Sequence, residues 1–201
     1  MEYPFAEKGL KFGNLKIVVR AQWHRWPNSE PPSGTTELSV TLTHDRIEGR
    51  IVRTAPFRKT DLPLRCLPHE TPRCAEAEAK HAVNVFLRWL GLAMTGDMWG
   101  LFMELDDFYR FRPIEGLREP TVLDFLSGLR DAGRIAEPLF VAFTHLLCAI
   151  HEWRLQNNSE VDATTMCVRL GEWLLAFAEE RDKRFADFTP ISHQRGVNAD
   201  A

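Results

Sequence analysis

Two cysteines and two histidines lie close together in one proline-containing stretch, as Cys66, His69, Cys74 and His81. Thiolate sulfur and imidazole nitrogen are the usual ligands of tetrahedral zinc, so these four side chains could surround one ion. Their spacing differs from the common zinc patterns, in which C-x2-C is followed by a second close pair. A loop with two thiols and a surface histidine explains the same residues without a metal. Zinc is therefore an alternative interpretation, and no other cofactor is expected.

The long apolar stretch Glu137–Leu155 carries a cysteine–histidine combination that could be catalytic. On a helix, His145, Cys148 and Glu152 would share one side, and a thiol beside an imidazole can become a nucleophile. The sequence identifies neither an oxyanion donor nor a third orienting group for this pair. A small buried thiol is also the commoner role of cysteine, so the pattern does not predict catalysis.

The remaining chemical motifs also argue against an enzyme. Glu104, Asp106 and Asp107 would diverge around a helix, where an Asp106–Arg110 pair explains them more simply. The glycine-rich phosphate loops, the nucleophile elbow G-x-S-x-G and the metalloprotease motif H-E-x-x-H are absent from the sequence. We therefore expect a protein without catalytic activity.

Arginine and tryptophan side chains are concentrated in the N-terminal part of the chain. Residues 1–74 contain twelve Lys/Arg against eight Asp/Glu, a balance of +4, whereas the rest has thirteen against twenty, a balance of −7. Both residue types are enriched at protein–protein contacts, and they also form surfaces for single-stranded nucleic acid. The candidate interaction residues are Arg20, Trp23, Arg25, Trp26, Arg46, Arg50, Arg53 and Arg58.

The leading hypothesis is a non-enzymatic protein-interaction protein, such as an adaptor, an accessory or immunity-type factor, or a small assembly subunit. Another protein is the expected partner, because the basic excess is smaller than in most nucleic-acid-binding domains. A protein that binds single-stranded nucleic acid, RNA in particular, through the same basic surface is the first alternative, and a zinc protein is the second. A homo-oligomer is compatible with the same residues.

Alternating apolar and polar residues predict the sheet that carries this surface. Leu15–Trp23 alternates throughout, which is typical of a half-buried strand. Similar patterns at Leu38–Leu42 and Ile47–Thr54, separated by turn-forming residues, predict two further strands and an antiparallel meander. We expect its polar face to carry Lys16, Arg20, Arg46, Arg50 and Arg53.

Helices are predicted for most of the remaining chain. Residues 55–74 contain four prolines and predict a linker, since proline breaks both helical and ladder hydrogen bonds. Apolar residues then recur at helical spacing in Ala75–Thr95, Glu137–Leu155 and the stretch after Asn158, whose helix either Ser159 or Asp162 would cap. Thr121 and Asp124 predict the cap of a shorter helix. Asp97–Phe111 is ambiguous and fits a helix better than a strand. The prediction is an α+β fold, with an N-terminal antiparallel β-meander of about three strands followed by a C-terminal bundle of four or five helices.

The charge asymmetry suggests how the chain is divided. We predict a basic β-rich region at 1–74, a helical bundle at 75–187 and a polar tail at 188–201; one composite domain, 1–187, is the alternative. The N-terminal residues lack the apolar core of a secretion signal, and the longest apolar run falls short of the roughly 20 residues that span a bilayer. A cytoplasmic protein with free thiols is therefore expected.

Overall fold

The computed structural model describes residues 5–25, 28, 34–45, 47–57, 71–109, 121–131 and 137–190. Within these ranges a sheet is followed by helices, which confirms the predicted α+β class. The strands are β1 (Phe5–Phe12), β2 (Leu15–Arg25), β3 (Gly34–His44), β4 (Ile47–Phe57) and β5 (Phe185–Asp187). The helices are α1 (Thr71–Thr95), α2 (Met98–Tyr109), α3 (Val122–Asp131), α4 (Glu137–Asn157) and α5 (Ala163–Glu179).

The strands form one sheet in the order β4-β3-β2-β1-β5. β1 to β4 are antiparallel neighbours, and β5 returns after the helices to pair in parallel with β1. β1 and β5 are additional to the three strands that alternation predicts. β1 escapes the pattern because Lys8 interrupts the apolar residues of its buried side, and β5 is only three residues long.

Capping side chains fix the start of two helices where the sequence predicts them. The Asp162 side chain accepts a hydrogen bond from the Thr165 N–H at 2.9 Å, at the start of α5. Thr121 Oγ1 accepts one from the Asp124 N–H at 3.2 Å, immediately before α3. Each bond satisfies a donor that lacks an intrahelical acceptor, so both predicted caps are confirmed.

The first two helices refine the sequence-based boundaries. α1 begins at Thr71 rather than Ala75, with Pro72 in the first turn, where a missing N–H breaks no helical bond. The ambiguous stretch that follows is a helix, α2, and Asp97 Oδ1 accepts a hydrogen bond from the Gly100 N–H at 2.8 Å in its first turn. Both ends of the linker predicted for residues 55–74 thus belong to regular elements, because β4 also continues to Phe57; residues 58–70 lie outside the described part of the chain.

Helices α1 and α4 pack on one face of the sheet. Leu15, Ile17 and Val19 of β2 are at most 1% exposed there, and they share one hydrophobic core with Phe86 of α1 and Leu146 of α4. The sheet and the helices thus bury their apolar faces against each other. Among the described helices, none combines the length and the apolar character needed to cross a membrane.

Helices α1 and α5 approach closely at a pair of glycines. A Cβ atom added to Gly171 would lie 2.6 Å from the Thr95 backbone nitrogen, and one added to Gly91 would lie 3.0 Å from the Gly171 carbonyl oxygen. These neighbouring atoms belong to backbone and cannot move aside as a side chain would. The helix crossing therefore requires glycine at both positions.

Lys8 joins β1 to the end of α5. It is 5% exposed on the core side of the strand, and its Nζ donates hydrogen bonds to the carbonyl oxygens of Phe177 at 2.7 Å and Ala178 at 3.2 Å. Carbonyls in the last turn of a helix have no intrahelical donor, so the ammonium group caps α5. Burial lowers the pKa of Lys8, and the nearby Glu180 carboxylate partly opposes this effect.

Alanine should have opposite effects on stability at Gly171 and Gly128, two glycines that lie in helices. Gly171→Ala should lower the free energy of unfolding by about 1–3 kcal/mol, because the new methyl group overlaps the α1 backbone. Gly128, in α3, has no atom within 4 Å of its added Cβ, so Gly128→Ala should raise it by about 0.5–1 kcal/mol through helix propensity. Urea unfolding of both variants tests the close crossing, and equal effects would contradict it.

Removal of the Lys8 cap should destabilise the fold. Lys8→Met should lower the free energy of unfolding by about 1–2 kcal/mol, because two helix-end carbonyls lose their donor. Lys11→Met, at an exposed position of the same strand, should change it by less than about 0.5 kcal/mol. The pKa of Lys8 is lowered in the folded state. At a pH between this lowered pKa and the ordinary pKa of lysine, the unfolded chain therefore keeps a proton on Lys8 that the folded chain has lost. Urea unfolding across that alkaline range should show stability rising with pH in the wild type relative to Lys8→Met.

Candidate functional site

The face of the sheet opposite α1 and α4 is the most extensive candidate surface in the described part of the chain. Its side chains are exposed or half-buried, in contrast to the buried residues that alternate with them. We call this surface the open face. It comprises Phe5, Glu7, Lys11, Lys16, Val18, Arg20, Gln22, His24, Glu37, Ser39, Thr41, Thr43, Phe185 and Asp187.

A shallow depression of about 550 Å³ lies at the middle of the open face. Short hydroxyl side chains of β3 form its floor on one side, and longer charged side chains of β1 and β2 surround them. The depression is therefore mostly polar, and the ring of Phe185 gives it one aromatic wall. Its lining is Glu7, Lys16, Val18, Arg20, Gln22, Ser39, Thr41, Thr43 and Phe185.

Arg20 is positioned by contacts on both sides. Its guanidinium carbon lies 4.1 Å from the centroid of the Phe5 ring, a cation–π contact. Ser39 Oγ donates a hydrogen bond of 3.3 Å to the Arg20 carbonyl oxygen, across the β2–β3 pair. The Nε of Arg20 is buried and has no hydrogen-bond partner among the described residues. The buried Nε is inaccessible from the depression, whereas Arg20 as a residue lines it with the guanidinium held against Phe5.

Phe185 forms the aromatic wall because β1 has a glycine opposite it. The two residues are paired in register, and a Cβ on Gly9 would lie 2.5 Å from Phe185 Cδ1, so the ring occupies the space above Gly9. The ring remains 53% exposed, and Lys16 Nζ is 5.8 Å from its centroid. An exposed ring fixed on a sheet offers apolar contact area with little conformational entropy to lose.

The charges of the open face are mixed in sign. Lys11, Lys16 and Arg20 are accompanied by Glu7, Glu37 and Asp187. His24 Nε2 lies 3.4 Å from Glu37 Oε2, where both side chains are well exposed. The surface therefore does not present the uniform positive charge that phosphate binding requires. It offers donors and acceptors side by side.

Two of the eight candidate interaction residues have described side chains, and these lie on opposite faces of the sheet. Arg20 lies on the open face, whereas Trp23 is buried, 5% exposed, on the core side. Arg25, at the end of β2, is paired with Gly34 in the backbone register. Trp26, Arg46 and Arg58 lie outside the described residues.

Two candidate arginines lie in β4. In the backbone register, Arg50 is paired with Thr43 and Arg53 with Val40 of β3. The side chains of both lie outside the described ones, so their expected place on the polar face stays a prediction.

The proposed zinc ligands are only partly covered by the structure. Cys66 and His69 lie outside the described residues, and Cys74 and His81 belong to α1, with His81 on its exposed side. In the described ranges, no group of three or more His, Cys, Asp and Glu side chains is placed to hold a metal ion. The zinc hypothesis therefore stays a prediction.

The polar side of α4 makes structural contacts. His44 Nε2, at the end of β3, lies 2.8 Å from Glu152 Oε2, in a part-buried pair. Burial lowers the pKa of His145, and the nearby His44 acts in the same direction. Cys148 is exposed. The His44–Glu152 pair thus joins α4 to the sheet.

Burial changes the acidity of the Cys167 thiol in α5. It raises the pKa of Cys167 to about 11, and the Asp162 carboxylate adds to this effect. A thiol with this pKa stays protonated at neutral pH and is a poor nucleophile.

Phe5 and Phe185 are the aromatic residues of the open face, and the sequence patterns did not predict that either would lie there. Both belong to strands that alternation did not reveal, β1 and β5. Phe185 follows the charged turn after α5, and nothing in its local pattern places it beside β1. Only the parallel pairing of β5 with β1 brings this ring to the N-terminal sheet.

Comparison of the chain with family models, with curated proteins and with solved structures found no match. The geometry of the open face and the chemistry of its residues are therefore the guides to function.

The structural role of α4 can be tested at its contact with β3. Glu152→Ala should lower the free energy of unfolding by about 1–2 kcal/mol, because part-buried His44 loses an acceptor. Glu172→Ala, at an exposed position of α5, should change it by less than about 0.5 kcal/mol. Urea unfolding at neutral pH compares the two, and a Glu152→Ala variant as stable as the control would show that the pair contributes nothing.

Proposed function

We propose that this chain is a non-enzymatic protein-interaction protein, of the adaptor, accessory or immunity-type, or small assembly class, and that its partner binds the open face. The observation that carries the proposal is a sheet with one face covered by α1 and α4 and the other left to solvent in the described structure. A broad sheet face with fixed aromatic and arginine side chains suits a protein surface. The proposal keeps the cytoplasmic location expected from the sequence.

The open face favours a protein partner because its polar groups are varied. Hydroxyls of Ser39 and Thr43, the amide of Gln22 and charges of both signs can pair with the mixed donors and acceptors of another protein. Phe185 adds an exposed apolar contact. Aromatic and arginine side chains carry much of the binding energy at such interfaces. We place the centre of the contact between Arg20 and Phe185.

Arg20 suggests a specific chemistry for the centre of the contact. Arg20 lines the depression, and its guanidinium is held against the Phe5 ring. A carboxylate of the partner would pair with this guanidinium, and a charge-assisted bond of this kind is stronger than a neutral one. The partner surface should therefore carry an acidic side chain opposite Arg20.

Binding of single-stranded RNA is the alternative that one observation favours. Lys16 lies near the exposed ring of Phe185, which is the pairing of cation and stacking platform used for single strands. The neighbouring carboxylates of Glu7 and Asp187 would repel phosphates, and one side of the Phe5 ring is already occupied by Arg20. We therefore rank RNA second, and the zinc hypothesis remains separate from both.

The open face can be tested by affinity purification from cells that express the chain, with two matched pairs of variants. Lys16→Glu and Phe185→Ala alter the open face, whereas Arg169→Glu and Leu155→Ala make equivalent changes at exposed positions of α5 and α4. We expect one partner protein to be retained by the wild type and the two controls. Its recovery should fall about tenfold or more with each open-face variant, because central interface residues dominate affinity.

Two outcomes of this experiment would overturn the proposal. Equal recovery of every protein by open-face and control variants would remove the open face as the contact. Loss of all partners after nuclease treatment, together with direct binding of a single-stranded oligonucleotide that weakens steeply with salt, would replace the protein partner by RNA. Circular dichroism of each variant confirms that it is folded.

A further inference from the structure

The strand β5 covers only half of the outer edge of β1. Its pairing extends from Gly9 to Lys11 of β1, and hydrogen bonds at the two ends of the pairing mark its limits. The Gly9 N–H donates to the Arg184 carbonyl at 2.7 Å, and the Phe188 N–H donates to the Lys11 carbonyl at 2.9 Å. The first half of β1 thus extends beyond β5.

The backbone groups of Phe5 and Glu7 point toward the uncovered edge. In a strand, the N–H and C=O of alternate residues point to the same side, and Gly9 and Lys11 point to β5. The regular register of β1 with β2 carries this alternation back to Glu7 and Phe5. Within the described residues, the ladder between β1 and β5 begins at Gly9, so the outward groups of Glu7 lie beyond it. Backbone groups at such an edge can pair with another strand.

A groove of about 270 Å³ lies along this uncovered edge. The first half of β1 forms its floor, the beginning of α1 forms one wall, and the turn between α5 and β5 forms the other. The helical wall consists of Glu76, Lys80, Val83 and Asn84. The opposite wall consists of Arg181, Lys183, Arg184 and Phe185.

The charge of the groove favours an anionic occupant. Glu76, the acidic residue of the helical wall, is already paired, since its Oε1 lies 2.7 Å from Lys80 Nζ. In the opposite wall, Lys183 Nζ lies 3.2 Å from Glu180 Oε2. Arg181 and Arg184 are exposed, and Arg184 is near enough to Glu76 for its charge to contribute to the lowered pKa of that carboxyl, after Lys80. The groove therefore favours carboxylates, and two exposed guanidinium groups beside a strand edge suit those of an extended chain.

We propose that the uncovered edge of β1 binds an extended acidic segment of a partner protein, which adds to the sheet as a short strand in line with β5. Main-chain hydrogen bonds to Phe5 and Glu7 would supply affinity, and Arg181 and Arg184 would select acidic side chains. The inference rests on the proposed protein-binding function, but it uses a surface adjacent to the open face. Glu7 and Phe185 line both.

The test uses a fluorescein-labelled peptide of seven residues in which glutamate alternates with valine, blocked at both ends. Fluorescence anisotropy with the full chain should show saturable binding that weakens as salt is raised, because exposed charges are screened. A peptide with lysine in place of glutamate should not bind. A glutamate peptide with N-methylated valines should bind at least about tenfold more weakly, because it has lost strand hydrogen bonds.

Two matched pairs of protein variants locate the binding site. Glu7→Pro removes the outward N–H without breaking the β1–β2 ladder, and proline is tolerated on edge strands. It should weaken peptide binding about tenfold, whereas Glu7→Thr, which keeps the N–H, should bind at least as well as the wild type. Arg181→Glu combined with Arg184→Glu should weaken binding about tenfold or more, while the exposed Arg169→Glu on α5 should have no effect.

Several results would overturn the inference, even if Glu7→Pro fails to fold. The first is that the glutamate peptide does not bind the wild type saturably. The second is that the N-methylated peptide binds as tightly as the unmodified one, and the third is that the double arginine variant binds the peptide as tightly as the wild type. Binding that appears only after removal of residues 191–201 would assign the edge to the chain's own terminal segment, and self-association lost in Glu7→Pro would assign it to a second copy.

The inference about the edge of β1 and the proposed contact at the open face can be disproved separately. The Lys16→Glu variant should bind the peptide normally, since Lys16 does not line the groove. If partner recovery depends on Lys16 but the peptide does not bind, only the edge inference fails. If the peptide binds as described but no partner depends on the open face, the proposed contact surface is wrong and the edge remains.

Discussion

The burial of one sheet face under α1 and α4 is the constraint on which the rest of this structure depends. Apolar residues of β2 and β3 alternate with polar ones, so one face must be covered and the other can remain in water. α1 lies against that face and also packs on α5, with glycines at the crossing. The end of α5 is in turn held by Lys8 of β1. The chain therefore closes back on its first strand.

The same constraint accounts for both candidate surfaces. Because the helices cover one face, the opposite face keeps its polar side chains and gains two rings at its margin, Phe5 and Phe185. Because β5 is short, it leaves part of β1 without a neighbouring strand. The open face and the uncovered edge meet at Glu7 and Phe185. A single partner could contact both, with its surface on the sheet and one extended segment in the groove.

Sequence patterns were most informative where local chemistry decides the structure. The alternation of β2, the caps Thr121 and Asp162, and the fold class follow from interactions between residues close in sequence, and all three agree with the structure. The candidate surface was predicted less well. Arg20 lies on the open face, but Trp23 faces the core, as its own alternation indicates. Residue type grouped two side chains that the alternation of one strand places on opposite faces.

By itself, the sequence determined which stretches become strands and helices, because alternation, helical periodicity and capping operate over a few residues. It also determined that no familiar catalytic motif is present. Only the tertiary structure decided that the three residues of β5 pair with β1, which places Phe185 over Gly9 and leaves Glu7 at an open edge. A parallel pairing between residues so distant in sequence depends on the whole helical region that returns the chain to the sheet. No local pattern of residues specifies that contact.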